Sequence, residues 1–308
     1  MRIQKKFKTI AVILALAVLM VLPLSACGQS NDKGETFKVG TQGYAEVEIL
    51  GEVWKALVEA KTPHKVEHVR SLGSSTAGFE ATRNNDLQMF TSFTGTLFLG
   101  LLEQELTDDY RDPAKVFDKT KELLLEKYSL YAAPPYGYNN TYAIAVPRAW
   151  AESNNVTKQS QLEPFAKDMI LAVDQTWLSY PGQGYKEYSE LYGFTFKATP
   201  AMDMGLIYRA IENDEVDAIN VYSTDGQLIA QDLLVLEDDK GFNPPYNGIL
   251  VLRNDVIEKY PEIKALADSL AGTITTEEMQ MLNKQVAVDD KEPSVVARDF
   301  LKSKGLID

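Results

Sequence analysis

What most limits the fold of this chain lies at its start: a basic head and an apolar run stop abruptly at its single cysteine, Cys27. Arg2, Lys5, Lys6 and Lys8 precede 15 apolar residues, Ile10 to Leu24, and small Ser25 and Ala26 stand directly before Cys27 in LSAC (Leu24 to Cys27). This is the order of a secretory signal spanning residues 1–26, with a mature chain that begins at Cys27. Fifteen residues span about 22 Å as a helix, short of a hydrocarbon core of about 30 Å, so the run reads as a signal and not as a membrane span. The expected modification of Cys27 is a diacylglyceryl thioether with an acylated amino group, a lipid anchor on the extracytoplasmic face of the cell membrane. Residues 27–35, which include the polar GQSNDKG, read as a flexible tether. A globular body therefore has to be built from the chain beyond them.

Removing residues 1–26 leaves 282, enough for one large core or two modest domains. They carry 27 Lys and Arg against 44 Asp and Glu, a formal net charge of −17, four more negative than the −13 of the whole chain. Such a surface repels nucleic acid and anionic lipid, so no nucleic-acid partner is expected. With Cys27 lipidated, no cysteine is left for a disulfide. His64 and His68, in TPHKVEHVR, have no cysteine or tight carboxylate cluster beside them in sequence. They read as surface or strand-edge residues, and no metal is expected.

Periodicity then gives an α/β pattern. Phe37 to Thr41 reads as a strand, Glu46 to Ala60 as a helix with Val47, Leu50, Trp54 and Leu57 on one face, and Lys65 to Val69 as a second strand after Pro63. A further helix starts at Ser74 to Thr76 and turns at Asn84 and Asn85 into a strand, Leu87 to Phe90, that empties into Thr91 to Thr96. The same grammar recurs with a helix at Met204 to Ile211, a strand at Ala218 to Tyr222 and a turn at Gly226. Ligands of open α/β sheets sit beyond such strand ends.

Thr141 to Val146 is another strand, a short helix lies around Pro164 to Asp168, and Ile170 to Val173 is a strand before the loop SYPGQGY. About 75 residues between two strands suit an inserted lobe. The expected division is residues 36–141 and 223–308 for lobe 1 and 142–222 for lobe 2, with crossovers at Thr141 to Val146 and Ala218 to Tyr222. Pro244 and Pro245 stiffen the return, Gly248 to Arg253 reads as strand, and helices follow at Pro261 to Leu270, Glu277 to Gln285 and Ser294 to Ser303. Thr275 with Glu277 and Glu278 forms an N-terminal capping arrangement. A discontinuous two-lobe protein has a cleft and a hinge, and closes around what it binds.

Aromatic residues gather at the expected strand ends: Phe93, Tyr136, Tyr138, Tyr142, Tyr222, Phe242 and Tyr246. An aromatic face attracts a cation within about 6 Å by about 0.5 to 2 kcal/mol, depending on desolvation. Three or four such faces can hold a trimethylammonium group, which has no N–H to donate.

These residues carry a family resemblance. VGTQGYAEVEIL (Val39 to Leu50), DLQMFTSFTGT (Asp86 to Thr96), YGYNNTYAIAV (Tyr136 to Val146), VDAINVYSTDGQLIAQDLLVLEDDKGFNPPY (Val216 to Tyr246) and EPSVVARDFLKSKGL (Glu292 to Leu306) cover almost all of the mature chain. In these segments it resembles the substrate-binding lipoproteins of osmoprotectant ABC transporters that handle glycine betaine, carnitine and choline.

The resemblance implies a two-lobe, type II periplasmic-binding-protein-like fold with discontinuous lobes. It also implies no catalysis, no cofactor, and delivery of a quaternary ammonium solute, proline betaine included, to an ABC permease. A monomer is the default. Carried over, the cage is Phe93, Tyr142, Tyr222 and Tyr246, with Gln42 and Thr96 as donors to a ligand carboxylate. Phe93 departs from the family's usual tyrosine, and Ser92 stands where relatives often carry Glu or Arg. Thr96 favours betaines over choline alone, since choline-restricted relatives can carry an acid there. Asn140 and Asp225 read as backbone organisers, and Tyr44 as an extension of the pocket wall.

Two other classes compete. An exported two-lobe enzyme lacks parts: the chain has no G-x-S-x-G, no phosphate-binding G-x-x-x-x-G-K-[ST], and its paired acids Asp238 and Asp239 read as a solvated turn. A sensory binding module would use the same cleft without a transporter, and neighbouring genes separate the two.

Overall fold

The computed structural model describes residues 34–308, so the expectations for the signal, for Cys27 and for most of the tether lie outside the described residues. The described chain folds around two five-stranded sheets. The first contains β1 (Thr36–Gly40), β2 (Lys65–Val69), β3 (Met89–Phe93), β4 (Leu130–Ala132) and β10 (Gly248–Arg253), in the order β2-β1-β3-β10-β4. The second contains β5 (Tyr142–Pro147), β6 (Leu171–Asp174), β7 (Ala201–Met202), β8 (Ala218–Tyr222) and β9 (Leu233–Val235), in the order β7-β6-β8-β5-β9.

The two sheets share one topology. Three strands run parallel in each, and a fourth, β10 or β5, runs antiparallel between the third and an edge strand. Strand alternation explains why both faces are covered. In β10, Leu250 and Leu252 enter one core while Ile249 and Val251 enter the core on the opposite face. In lobe 2, Ile144, Val146, Leu171 and Val173 point to one core, and Ala145, Ala172, Ile219 and Val221 to the other. Side chains two apart share a face, so a strand buried on both sides reads as a continuous apolar run.

Helices supply the covering layers. Ala45–Lys61 buries Val47, Leu50, Trp54 and Leu57, as its 3.6-residue spacing requires, and Thr62 and Pro63 follow it. The helices Thr276–Ala287 and Pro293–Ser303 pack on the same core. Thr275 and Glu278 form the capping box: the Glu278 N–H donates to Thr275 Oγ1 (3.2 Å) and the Thr275 N–H to Glu278 Oε2 (2.9 Å). A 16-residue helix, Pro113–Tyr128, adds to the elements expected from periodicity; Asp112 caps it and left-handed Ser129 ends it.

The expected lobe boundary at Tyr222 is corrected. Strand β9 pairs antiparallel with β5, Pro147 against Leu233, so the second sheet runs from Tyr142 to Val235. The turn after Tyr222 leads into a short helix, Gly226–Ala230, that carries the chain back to its own sheet. The return to lobe 1 comes later, just before β10. There the two connections lie side by side through a bridge between Asn139 and Asn247. The Tyr246 N–H donates to Asn139 Oδ1 (2.6 Å), the Asn140 N–H to Tyr246 O (3.0 Å), and Asn247 Nδ2 to Tyr138 O (3.2 Å).

Candidate functional site

Strands β5 and β8 are antiparallel, with Tyr142 directly opposite Tyr222 at their cleft ends. Both side chains therefore leave the sheet on the same face, and their rings stack with centroids 5.0 Å apart at 25°. Tyr222 Oη donates to Tyr142 Oη (3.4 Å), which donates to Asp174 Oδ2 (3.4 Å). Asp174 also accepts from the Thr176 and Trp177 N–H groups at the start of a short helix, so the tyrosine pair hangs from a fixed point.

The facing wall comes from lobe 1. Phe93 ends β3 opposite Gly248, and Tyr246 sits just before that glycine. Thr94 clamps the two segments together: its N–H donates to Asn247 O (3.0 Å), its hydroxyl to Pro245 O (3.2 Å), and it accepts from the Asn247 N–H (3.0 Å). Gly95 is required here, because a Cβ would fall 2.7 Å from the Tyr246 ring and 2.8 Å from Pro245 O. Thr96 opens a π-helical turn, Thr96–Leu101, a geometry enriched at functional sites. Gln42 lies ahead of the helix Ala45–Lys61, its side-chain oxygen accepting from Ser75 Oγ (3.2 Å).

All six residues expected in the site, Gln42, Phe93, Thr96, Tyr142, Tyr222 and Tyr246, line one cleft of about 640 Å³. Burial pushes the tyrosine hydroxyls up, that of Tyr246 to about 12 and those of Tyr142 and Tyr222 also upward, so the rings stay neutral at physiological pH. Their attraction for a cation is that of an aromatic face and not of a phenolate.

Three aromatic residues singled out in the sequence do not join them: Tyr136 and Tyr138 fill the lobe 1 core and Phe242 a lobe 2 core. Tyr180, Gln183 and Met204 do line the cleft without having been foreseen. Tyr180 and Gln183 come from the SYPGQGY loop, whose glycines were the available signal. Tyr44 lines it as expected and is 40% exposed.

A buried carboxylate also lines the cleft. Glu46, 2% exposed, accepts from Asn140 Nδ2 (3.0 Å) on the crossover and from Asn283 Nδ2 (3.1 Å) on the helix Thr276–Ala287. Asn283 Nδ2 also donates to Thr224 O (2.8 Å), and Gln280 Nε2 to Ser223 O (2.7 Å), so the turn that follows Tyr222 is held by lobe 1 side chains. Nothing in the helical pattern of Glu46 distinguishes it from an ordinary first-turn acid.

Three sequence readings are corrected. The side chains of His64 and His68 are buried and not superficial, although His68 does lie on the edge strand β2. His64 is bonded to Glu262 (2.9 Å) and to the Glu35 N–H (2.9 Å), and His68 to Glu52 (2.8 Å) and Thr41 (2.7 Å). Glu262 is 198 positions from His64, and Glu52 lies on the preceding helix 16 positions from His68, which hid the pairing. Asp225 makes no side-chain cap to its helix and instead accepts from Tyr208 Oη (2.8 Å) while lining the cleft. Asp238 organises its loop, accepting from Tyr192 Oη (2.6 Å) and the N–H groups of Phe242 (2.9 Å) and Asn243 (2.8 Å).

This arrangement of two lobes and an aromatic cleft defines a solute receptor, and comparison with known proteins gives its kind. The model of the substrate-binding domain of ABC-type glycine betaine transport systems matches residues 35–303, and the chain belongs to that family. It is 35% identical over 303 residues to a carnitine transport binding protein, OpuCC, of Listeria monocytogenes, covering 97% of each chain. It is 32% identical over 288 residues to a glycine-betaine-binding protein of Pseudomonas aeruginosa, covering 90% of each. It is also 30% identical to the ergothioneine transport permease/binding protein EgtU of Helicobacter pylori, covering 98% of this chain and 53% of that longer one. A crystal structure of a glycine betaine/carnitine/choline ABC transporter protein superposes with a TM-score of 0.84 at 33% identity, covering 88% of this chain and 100% of that one.

The fold is thus the two-lobe α/β fold of type II binding proteins. The protein is an extracytoplasmic, membrane-associated component of an ABC transporter for quaternary ammonium osmolytes, and it is not an enzyme. Among the described residues no helix is long and apolar enough to cross a membrane.

Proposed function

We propose that this protein captures glycine betaine, carnitine, proline betaine or choline by packing the trimethylammonium or related head between Phe93, Tyr142, Tyr222 and Tyr246. Gln42 and Thr96 donate to a ligand carboxylate where one is present. The observation that supports this most is the stacked, in-register pair Tyr142 and Tyr222 on one lobe, facing the clamped Phe93 and Tyr246 segment of the other. Neither lobe alone surrounds a cation. Ligand therefore favours the closed arrangement by binding it better than the open one, which is what a delivery protein needs.

The cargo passes to the permease of an importer, and ATP is bound by other subunits. Cys27 carries the lipid that keeps the receptor at the extracytoplasmic face of the membrane, and the receptor acts as a monomer. The names of the relatives support betaines as cargo, and ergothioneine, itself a betaine, belongs in the test.

Isothermal titration calorimetry of the folded chain from Gly28 onward, against glycine betaine, carnitine, proline betaine, choline, ergothioneine and proline, tests this reading. Saturable one-to-one binding of the first four supports it. Absence of heat from all of them, with protein shown to be folded and ligand-free, overturns it. Metabolic labelling with palmitate in a Cys27→Ala variant checks the anchor.

A further inference from the structure

The charge of the cleft is one-sided. Its lining includes two carboxylates, Glu46 and Asp225, and, among the described residues, no Lys, Arg or His. Glu46 is 2% exposed, and the partners of its carboxylate are the neutral amides of Asn140 and Asn283. Asn283 is itself 6% exposed and lines the cleft, and its Oδ1 has no hydrogen-bond partner among the described residues, which adds the negative end of an amide dipole.

Asp225 accepts from the neutral hydroxyl of Tyr208. The groups packed around this pair bring no cation. Tyr44 comes from the loop before the helix Ala45–Lys61, Tyr138 from the crossover, Tyr222 from β8 and Tyr208 from the helix Met204–Glu212. From the helix Thr276–Ala287, Gln280 and Asn283 are neutral, and the Lys284 ammonium is turned away onto Asp289 (2.8 and 2.9 Å).

Resting on the quaternary ammonium reading above, we infer that Glu46 and Asp225 make the cleft rank its ligands by net charge, so that a cation such as choline gains on a zwitterion such as glycine betaine as pH rises. A fixed negative charge attracts the ammonium of both. In the betaine it also repels the carboxylate a few ångströms away, and the two contributions largely cancel. Choline carries only the attraction.

Asp225 can change charge in a useful range. Burial pushes both carboxyls up, that of Asp225 to about 6, with the Tyr208 hydroxyl drawing it back and the neighbouring Glu46 raising it further. Neither the choline ammonium nor the betaine carboxylate titrates there, so the linked proton belongs to the protein. Thr96, which lines the same cleft, is neutral and does not exclude a carboxylate.

The test is the dissociation constant of choline and of glycine betaine at constant ionic strength, at about pH 5 and about pH 7.5. For the native protein the ratio Kd(betaine)/Kd(choline) should rise about fivefold between the two. In Asp225→Asn it should stay within about twofold. Tyr208→Phe, which removes the donor that stabilises the charged form, should move the midpoint of the rise to higher pH. A constant ratio in the native protein with both ligands binding overturns the inference and leaves the cage intact. A rise that persists unchanged in both variants overturns it too. If neither solute binds at either pH, the cage reading falls and this one with it.

Discussion

Tyr142 and Tyr222 are opposite partners in one antiparallel ladder, and their rings stack 5.0 Å apart at the mouth of the second sheet. Each ring holds the other in place. Tyr222→Ala should therefore weaken binding of a quaternary ammonium ligand at least about tenfold, about 1.4 kcal/mol, and Tyr142→Ala by a similar factor. Because each truncation also frees the surviving ring, the double variant should lose less than the sum of the two. Calorimetry on all three, with unchanged circular dichroism, checks this, and strict additivity would show that the rings act independently.

Phe93 is 7% exposed and packs at the end of β3 beside the Tyr246 segment. Phe93→Tyr keeps the ring face and adds a hydroxyl at the cleft wall, so affinity for glycine betaine should stay within about threefold of the native value. A loss above about thirtyfold would mean the hydroxyl is forced into the cleft, where it displaces the ligand.

Gly226 begins the short helix after the Tyr222 turn, and a Cβ there would lie 2.3 Å from Lys284 N and 2.5 Å from its Cα, both backbone atoms of the other lobe. Gly226→Ala should cost about 1–3 kcal/mol of stability and weaken ligand binding by displacing Tyr222. Gly205, with nothing within 4 Å of its would-be Cβ, is the control. Gly205→Ala should be neutral or stabilise by up to about 1 kcal/mol. Thermal melts and titrations of both variants decide the matter.

Glu52 is held by His68 Nδ1 (2.8 Å) and Arg70 Nη2 (2.6 Å), and the His68 bond above all, followed by Arg70, draws its carboxyl down from 4.5 to about 2 against the opposing effect of burial. A carboxyl depressed in the folded state stabilises it above the unfolded value and ceases to do so as pH falls through the folded one. Glu52→Gln should thus be destabilised by about 2 kcal/mol at pH 7. Its deficit should shrink as pH drops below 4.5 and vanish near 2. Urea denaturation of both proteins across that range measures it. A deficit that does not change with pH would mean the loss is one of packing.

Much of this was legible in the sequence, for reasons that vary with position. Strands β2, β8 and β10 have the expected limits because alternation and their bounding residues mark both ends. The six cleft residues were placed by turn chemistry at strand ends and by family motifs, and both signals are local. What stayed hidden depends on partners far away in the chain. His64 meets Glu262 across 198 positions, Asn283 meets Glu46 across 237, and β9 joins lobe 2 because its register fits β5. The helix Pro113–Tyr128 is a different case: Asp112 and Pro113 mark its start locally, as a cap followed by proline at the first helical position.

The matched topology of the two sheets has a consequence for a chain that emerges from its amino end. Every strand of the second sheet lies between Tyr142 and Val235, so that sheet can assemble as soon as this stretch is outside. The first cannot. β3 and β4 never touch, and the strand that joins them, β10, arrives only at Gly248–Arg253. Until then β4 has no strand to pair with, and β3 has one unpaired edge. The second sheet thus has all its strands in hand by Val235, before the first sheet, which opens the chain, has its own.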